Sequence, residues 1–578
     1  MNRNSRIPHQ KAAPSKQINA QFQSGCGLFE AGQFDRALAA FQAILARDPR
    51  HFDALNRAAA CHRLLAQPVE AEALWKRAIA LQPGNASVHN NLGVLLFNLA
   101  RHGESEKELA RAIALRETYP EAHFNLGQLF VAMDRPIEAE AQFRCALEQQ
   151  PGNALYRDAL GALLHGARRF AESEAELRLA ASLAPDFPEA HLHLGKTLLA
   201  QDKTDEAETA LMRAAELRPA CFEVNYTLAR LYADSLRIRE AETHYRRALA
   251  ANPAHIDTRL SLALLLLSTG RLEEGLPLYE VRREKDLYKN ADKFPFQDWH
   301  GEDLHEKSIV VCPEQGLGDQ ILCLRFLPLL RARGARRISV VCSSSLKPLF
   351  SSTPDADLIL SQEDAAQGIA LHDYRVLAFS LPLLLQLTLT TIPGTDPYLS
   401  ADPGRTAKWP SLLCGEEMRI GLVWRGSAQH ANDANRSLSS LAELAPLWAL
   451  PGLKFFSLQK GDGEAEALQP PTNQPIVALG QDIMDFADTA AIIDQLDLLI
   501  CVDTSIAHLA GALGKPCWVM LPAIDTDWRW FRDRSDTPWY RSLKLFRQGT
   551  PGDWTKAVAA ISAELSALTL QRRSNPPV

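Results

Sequence analysis

Two short stretches, far apart in the chain, hold residue types that could do chemistry. In CPEQGLGDQILCLRF (312–326) an apolar run meets Gly316, Leu317, Gly318 and Asp319, and an apolar helical pattern then resumes. The pattern reads as a strand, a tight turn and a helix start that aims backbone N–H groups and one carboxylate into a cleft. It is not a dinucleotide fingerprint, because the third glycine would fall at Ile321. It is not a P-loop, because no Gly-Lys-Ser/Thr follows. Asp319 has two readings. It is a helix cap favoured by the dipole, or a general base that takes a proton from an acceptor hydroxyl. In CVDTSIAHLAGALGKP (501–516) a buried strand ends at Asp503, Thr504 and Ser505, which supply an acceptor, hydroxyls and helix N-terminal N–H groups. Such an end suits an anion. His508 follows one turn into that helix.

The elements that must position these residues fall into two kinds. Prolines at 49, 83, 151, 185, 219 and 253 are spaced by 34 or 68 residues. Leu92-Gly93, Leu126-Gly127, Leu160-Gly161 and Leu194-Gly195 keep the same step, as do Ala78, Ala112, Ala146, Ala180, Ala214 and Ala248. A bulky residue stands three before each of those alanines, from Trp75 to Tyr245. This period is the tetratricopeptide signature. Small residues let paired helices approach, and proline stops the second helix. The expected solenoid covers 18–290, with about seven repeats to 255 and a degenerate eighth from Ile256. It resembles the tetratricopeptide family, which implies a concave groove for a protein or peptide. Asn90, Asn91, Asn125 and Asn225 are candidate groove donors.

From about residue 300 the pattern changes to alternating strands and helices, which argues parallel sheets. A first Rossmann-like half is expected over 300–400 and a second over 415–565, separated by a linker rich in Pro, Gly and Ser. Polar tails are expected at 1–17, read as disordered, and at 566–578. In open α/β sheets ligands bind at the carboxyl ends of the strands, where both turns lie.

Composition bounds the function classes. The net charge of -7 offers no basic footprint for nucleic acid. The ten cysteines include no C-x-x-C pair and read as buried reduced thiols of a cytoplasmic protein. The polar N-terminus has no apolar signal core. The most apolar stretch, 376–389, is too short to span a bilayer.

Together GLGD and DTSIAHLAGALGKP resemble glycosyltransferase family 9, the ADP-heptose:lipopolysaccharide heptosyltransferase family, over roughly 305–550. The resemblance implies a GT-B fold, a nucleotide-diphosphate-sugar donor, inversion at the anomeric carbon, and neither a metal nor a cofactor. It assigns Asp319 as the base. Gly316 and Gly318 face the donor, while Asp503, Thr504, Ser505 and His508 line the donor site. Lys460, in LQKG, resembles a basic residue placed near the phosphates, where its charge suits a leaving diphosphate. WRGSAQHANDANRSLS (424–439) departs from heptosyltransferase text. Its Trp424, Arg425, His430, Asp433, Arg436 and Ser437 resemble a bacterial group in which tetratricopeptide repeats are fused to such a domain. A guanidinium at Arg425 or Arg436 suits bidentate diphosphate contact. Asp525-Thr526-Asp527 has no metal role in this reading. Trp528, Trp530, Trp539 and Tyr540 either stack on a base or sugar or pack the C-terminal helix. The expected protein is a nucleotide-sugar-dependent transferase whose repeats bind the acceptor or a partner. The alternative is a scaffold with a degenerate nucleotide-sugar domain.

Overall fold

The 34-residue period becomes helix pairs. The structure, a computed structural model, describes residues 13–285, 294–393, 397–409 and 416–574. Sixteen helices run from Ala13–Glu30 to Leu272–Tyr279. At the turn inside each pair one residue takes a positive φ: Gly32, Ala66, Ala100, Asp134, Arg168, Asp202, Leu236 and Gly270. Each lies 34 residues after the last, so eight pairs follow without an insertion. The turn is a Schellman cap. The Arg101 N–H donates to Leu96 O at 2.9 Å and the Ala100 N–H to Phe97 O at 2.8 Å. The Leu-Gly column also has a packing cause. A Cβ on Gly93, Gly127, Gly161 or Gly195 would stand 2.5–2.6 Å from the side chain of Leu109, Phe143, Leu177 or Leu211. Those partners are the bulky residues read from the sequence.

The chain divides into two compact units, Met1–Leu231 and Tyr232–Val578. Among the described residues the first holds repeat helices alone. The second opens with the last repeats and continues into two parallel sheets. The five-stranded sheet has the order β1-β5-β2-β3-β4. Its strands are β1 (Gln297–Asp298), β2 (Ser308–Cys312), β3 (Arg337–Cys342), β4 (Leu358–Ser361) and β5 (Tyr374–Leu377). The six-stranded sheet has the order β11-β10-β9-β6-β7-β8. Its strands are β6 (Met418–Val423), β7 (Leu453–Ser457), β8 (Val477–Ala478), β9 (Leu498–Val502), β10 (Cys517–Leu521) and β11 (Leu543–Arg547). β9 and β10 are buried throughout, as expected of strands covered on both faces.

Several boundaries differ from the sequence reading. The first sheet begins at Gln297, ahead of residue 300. Leu441–Ala449 is a 3-10 run that carries Pro446 inside it. The C-terminal helix extends through Ser574, so most of the expected tail at 566–578 is helical, and 575–578 lie outside the described residues. Of the N-terminal tail, Ala13–Gln17 opens the first helix, and 1–12 lie outside the described residues. So do 286–293, the linker segment 410–415 with Cys414, and 394–396. The rest of the linker is pinned to the second half. The Tyr398 and Leu399 N–H groups donate to Ala512 O at 3.0 and 3.2 Å, and Arg405 pairs with Asp485 and Asp488.

Candidate functional site

The turn after β2 begins with Gln315 at φ 54° and leads into the helix Leu317–Cys323. Asp319 is the third residue of that helix and accepts from the Gly316 N–H at 2.7 Å. The turn after β9 leads into the helix Ser505–Ala512, capped by Thr504, whose hydroxyl accepts from the Ile506 N–H. The two helices pack on one another. A Cβ on Gly318 would stand 2.6 Å from the His508 ring and 3.2 Å from Ser505 Cα. Gly318 is thus required by the crossing of the two halves, whereas a Cβ on Gly316 would meet only Asp319 Oδ2, at 3.2 Å. Gly318→Ala is expected to destabilise the fold by about 2 kcal/mol, as overpacking does. Gly316→Ala should stay within about 0.5 kcal/mol, the range of an innocuous surface change. Urea unfolding of the two variants measures the contrast.

An aromatic and cationic plug fills the space beside this crossing. The His508 ring lies 5.0 Å from that of Trp530, and its Nδ1 is 3.0 Å from Tyr540 Oη. Tyr540 Oη is 3.3 Å from Tyr398 Oη, which donates to Ile321 O at 3.2 Å. With the Tyr398 proton on Ile321, Tyr540 donates to Tyr398 and His508 donates from Nδ1. Arg325 sits over the rings of Tyr540, Tyr398 and Trp539 at 4.5, 5.0 and 5.4 Å and donates to Trp539 O at 2.7 Å. Trp528, Trp530, Trp539 and Tyr540 are all buried and pack, but in the core cluster that holds Ile321 and Leu509 rather than in the one that holds the C-terminal helix residues Ala557, Ile561 and Leu565.

The charged centre was not singled out from the sequence. Arg529 pairs with Asp319 through one Nη and with Asp527 through its other Nη and through Nε, the last at 2.8 Å. Its guanidinium lies 5.3 Å from the Phe379 ring centroid and 5.7 Å from that of Trp528. Asp527 caps the 3-10 turn Trp528–Trp530, and Trp530 Nε1 donates to Asp503 Oδ1 at 2.9 Å. Burial pushes the Asp319 carboxyl up, against the lowering effect of Arg529. Burial and then the Asp527 carboxylate push Asp503 up to about 6. Burial and then Arg529 push His508 down to about 3, so it is neutral at pH 7. Although burial alone would raise Asp527, Arg529 holds it below the usual carboxylate range.

The remaining candidates divide. Trp424 is fully buried in the core of the second half, donating to Glu466 at 3.1 Å, so its ring has no face for a ligand. His508 is 4% exposed and belongs to the plug. Lys460 is exposed and donates to Gly480 O at 2.8 Å. Arg425 donates from Nε to Leu438 O at 3.2 Å. Arg436 pairs with Asp433 at 3.3 Å, packs over Gly426, and contributes to the field at Asp503. His430, in the same loop, is held low by partial desolvation and then by Arg436, against the raising effect of Asp433 and then of Asp319 and Asp527. Asn432 Nδ2 donates to Asp525 O at 3.1 Å, tying that loop to the segment that carries Arg529. Around Asp319 the structure thus gathers Arg529, Asp527 and the N-terminus of Ser505–Ala512, while Asp503 lies in the field of Asp527, Arg529 and Arg436. No cluster of three or more His, Cys, Asp or Glu side chains able to hold a metal ion occurs among the described residues.

Two tetratricopeptide repeat profiles match the chain, one over 28–92 and 164–231, the other over 65–123 and 226–285. The chain carries tetratricopeptide repeats. Protein FlbA of Caulobacter vibrioides is 28% identical over 319 residues, which span 51% of this chain and 52% of that protein. The match therefore takes in about half the length of each. Among solved structures, Pseudomonas aeruginosa pilF is 22% identical with a TM-score of 0.35, over 37% of this chain and 98% of that one. A thermophilic repeat protein of Thermus thermophilus is 24% identical with a TM-score of 0.27, over 32% and 99%. The repeats support a protein-interaction role. Within them the asparagines partly turn inward. Asn90 is buried and accepts from Asn125 at 2.9 Å, and Asn91 donates to Asn56 at 3.4 Å. Asn225 is buried and donates to Pro219 O and Cys221 O, both at 2.8 Å. Asn225 thus braces its repeat through its amide nitrogen, whereas Asn90 is engaged through its oxygen. Among the described residues no helix is long and apolar enough to cross a membrane.

Proposed function

We propose that the second unit is a metal-independent, inverting glycosyltransferase of the GT-B type, and that the repeats bind its acceptor or a partner protein. The observation that carries this reading is the position of Asp319. It sits at the carboxyl end of β2, against a helix of the other half, and within reach of a guanidinium that is also paired to Asp527. In the reaction Asp319 accepts the proton of an acceptor hydroxyl. That oxygen forms a bond to the anomeric carbon as the bond from that carbon to the phosphate oxygen breaks. The nucleoside diphosphate leaves with the electron pair towards the N-terminus of Ser505–Ala512, where Arg436 and Arg425 supply positive charge. The protein works in the cytoplasm, where nucleotide sugars are made, and neither cofactor nor nucleic acid takes part.

The Asp319–Arg529 ion pair favours a second reading, in which the base is quenched and the domain only senses the nucleotide. A donor screen separates the two. The full chain is incubated with UDP-, GDP-, ADP- and dTDP-sugars and a lysate acceptor, and thermal shift and free nucleotide are followed. A shift with nucleotide release supports the transferase. A shift without release, for every donor, supports the sensor-scaffold. The absence of any shift sinks both.

A further inference from the structure

The eighth repeat makes contacts that a partner-binding repeat has no need of. Just after its second helix, Arg282 is 1% exposed and donates to both oxygens of Glu314, at 2.9 and 3.0 Å. The Glu314 side chain is fully buried within the turn that follows β2, five residues before Asp319. It also accepts from the Phe379 N–H at 2.7 Å. Arg282 reaches Ser380 Oγ at 3.0 Å and Glu280 at 2.5 Å. Tyr279 Oη accepts from Gln315 Nε2 at 2.7 Å, and Gln315 is the residue of that turn held at positive φ.

The same repeat touches the segment that carries Arg529. The Tyr279 ring stands edge-on to Trp528 at 6.4 Å and to Phe379 at 6.3 Å, the two rings that flank the Arg529 guanidinium. Arg532 Nε donates to Ser268 Oγ at 3.3 Å. Gly270, at φ 83°, lies close enough to Leu389 and Phe531 that a Cβ there would stand 2.8 and 3.5 Å from them. Both partners of the Asp319–Arg529 pair therefore lean on one repeat, by separate contacts. A buried carboxylate held by a bidentate guanidinium fixes direction as well as distance, and such a pair tolerates loss of one member poorly.

We propose that Arg282 and Tyr279 are positioning residues for the candidate site, setting the turn that presents Asp319 and the loop that presents Arg529, so that the eighth repeat is a wall of the catalytic unit. The proposal deepens the transferase reading and rests on it for its consequence on rate, but the coupling can be read without any substrate. In the full chain, hydrogen exchange is followed by mass spectrometry in peptides covering 313–323, 526–532 and the two buried strands β9 and β10. The variants are Arg282→Lys, which keeps the charge but loses the fork, and the milder Tyr279→Phe. Arg246→Ala, on the exposed face of the preceding repeat, is the control. Exchange in 313–323 should accelerate at least tenfold in both variants, with that in 526–532 following, while β9 and β10 stay within twofold. Unchanged exchange in 313–323 in both variants overturns the proposal. Equal acceleration in every peptide also overturns it, because it reports general loosening. With a donor identified by the screen, Arg282→Lys should lower kcat at least tenfold with KM within threefold. If the exchange responds and no donor is ever turned over, the coupling stands and the transferase reading fails.

Discussion

Asp319→Asn should reduce turnover by about a thousandfold and leave donor binding at least as tight as in the wild type. The substitution is chosen because it separates the two readings of this carboxylate. Asparagine keeps the volume and keeps an oxygen to accept the Gly316 N–H, so the cap that the structure shows survives. What is lost is the charge opposite Arg529 and the capacity to take a proton. A positioned general base contributes about 10²–10⁴ in rate, whereas a carboxylate at the third helical position that accepts the N-cap N–H contributes to stability and nothing to chemistry. The ion pair adds a condition. In the proposed reaction Arg529 is drawn away from Asp319, and the incoming diphosphate of the proposed donor would do that by competing for the same guanidinium. Steady-state turnover of the donor found by the screen, with thermal shift as the binding readout, decides the matter. Turnover within threefold of wild type, together with a lowered melting temperature, would reduce Asp319 to a cap.

How much of this was legible in the sequence depends on the distance over which each residue acts. The repeats were legible because their packing partners recur at a fixed step. Gly93 with Leu109 and Gly127 with Phe143 repeat one geometry, so it writes itself as columns. The strand ends and the helices after them were legible because Asp319, Thr504 and Asp503 lie where an apolar run gives way to turn residues. Arg529 was not, although its neighbours Asp527, Trp528 and Trp530 were named. Its partner Asp319 lies 210 residues away, and no spacing announces such a pair. The Arg282–Glu314 pair escaped because Glu314 lies in the quoted turn but its partner Arg282, 32 residues earlier, belongs to no motif. Trp424 misled in the opposite sense. Its resemblance made it a candidate donor-binding residue, but it follows β6 directly and its indole completes the core. Gly318 carried a real signal whose cause was hidden. The glycine is required by the His508 ring from the other half, which only the assembled fold brings near.

The pair Asp503 and His508 sets up an acid-stability effect that is invisible in the wild type and large in either variant. Burial and the neighbouring Asp527 carboxylate raise Asp503 to about 6, against an ordinary aspartate near 3.8. Between those values the folded chain holds a proton that the unfolded chain does not, so Asp503 makes the fold more stable as pH falls and loses that contribution as pH rises through about 6. His508 works in the other direction. Burial and then Arg529 depress it to about 3, against an ordinary histidine near 6.5. Between those values the unfolded chain holds the extra proton, so the His508 contribution is present above pH 6.5 and is lost as pH falls towards 3. From pH 6 to pH 4 the two slopes oppose, each about 1.4 kcal/mol per pH unit, and nearly cancel. Asp503→Asn leaves only the His508 slope, and its stability should fall by roughly 3 kcal/mol between pH 6 and pH 4, relative to wild type. His508→Gln leaves only the Asp503 slope, and its stability should rise over the same interval by a similar amount, on top of a fixed loss from the broken Tyr540 contact. Urea unfolding followed by tryptophan fluorescence at pH 4, 5, 6 and 7 reads both curves. Parallel curves for wild type and either variant would mean that the residue replaced titrates at its ordinary value, and the tightly closed, desolvated centre described here would have to be given up.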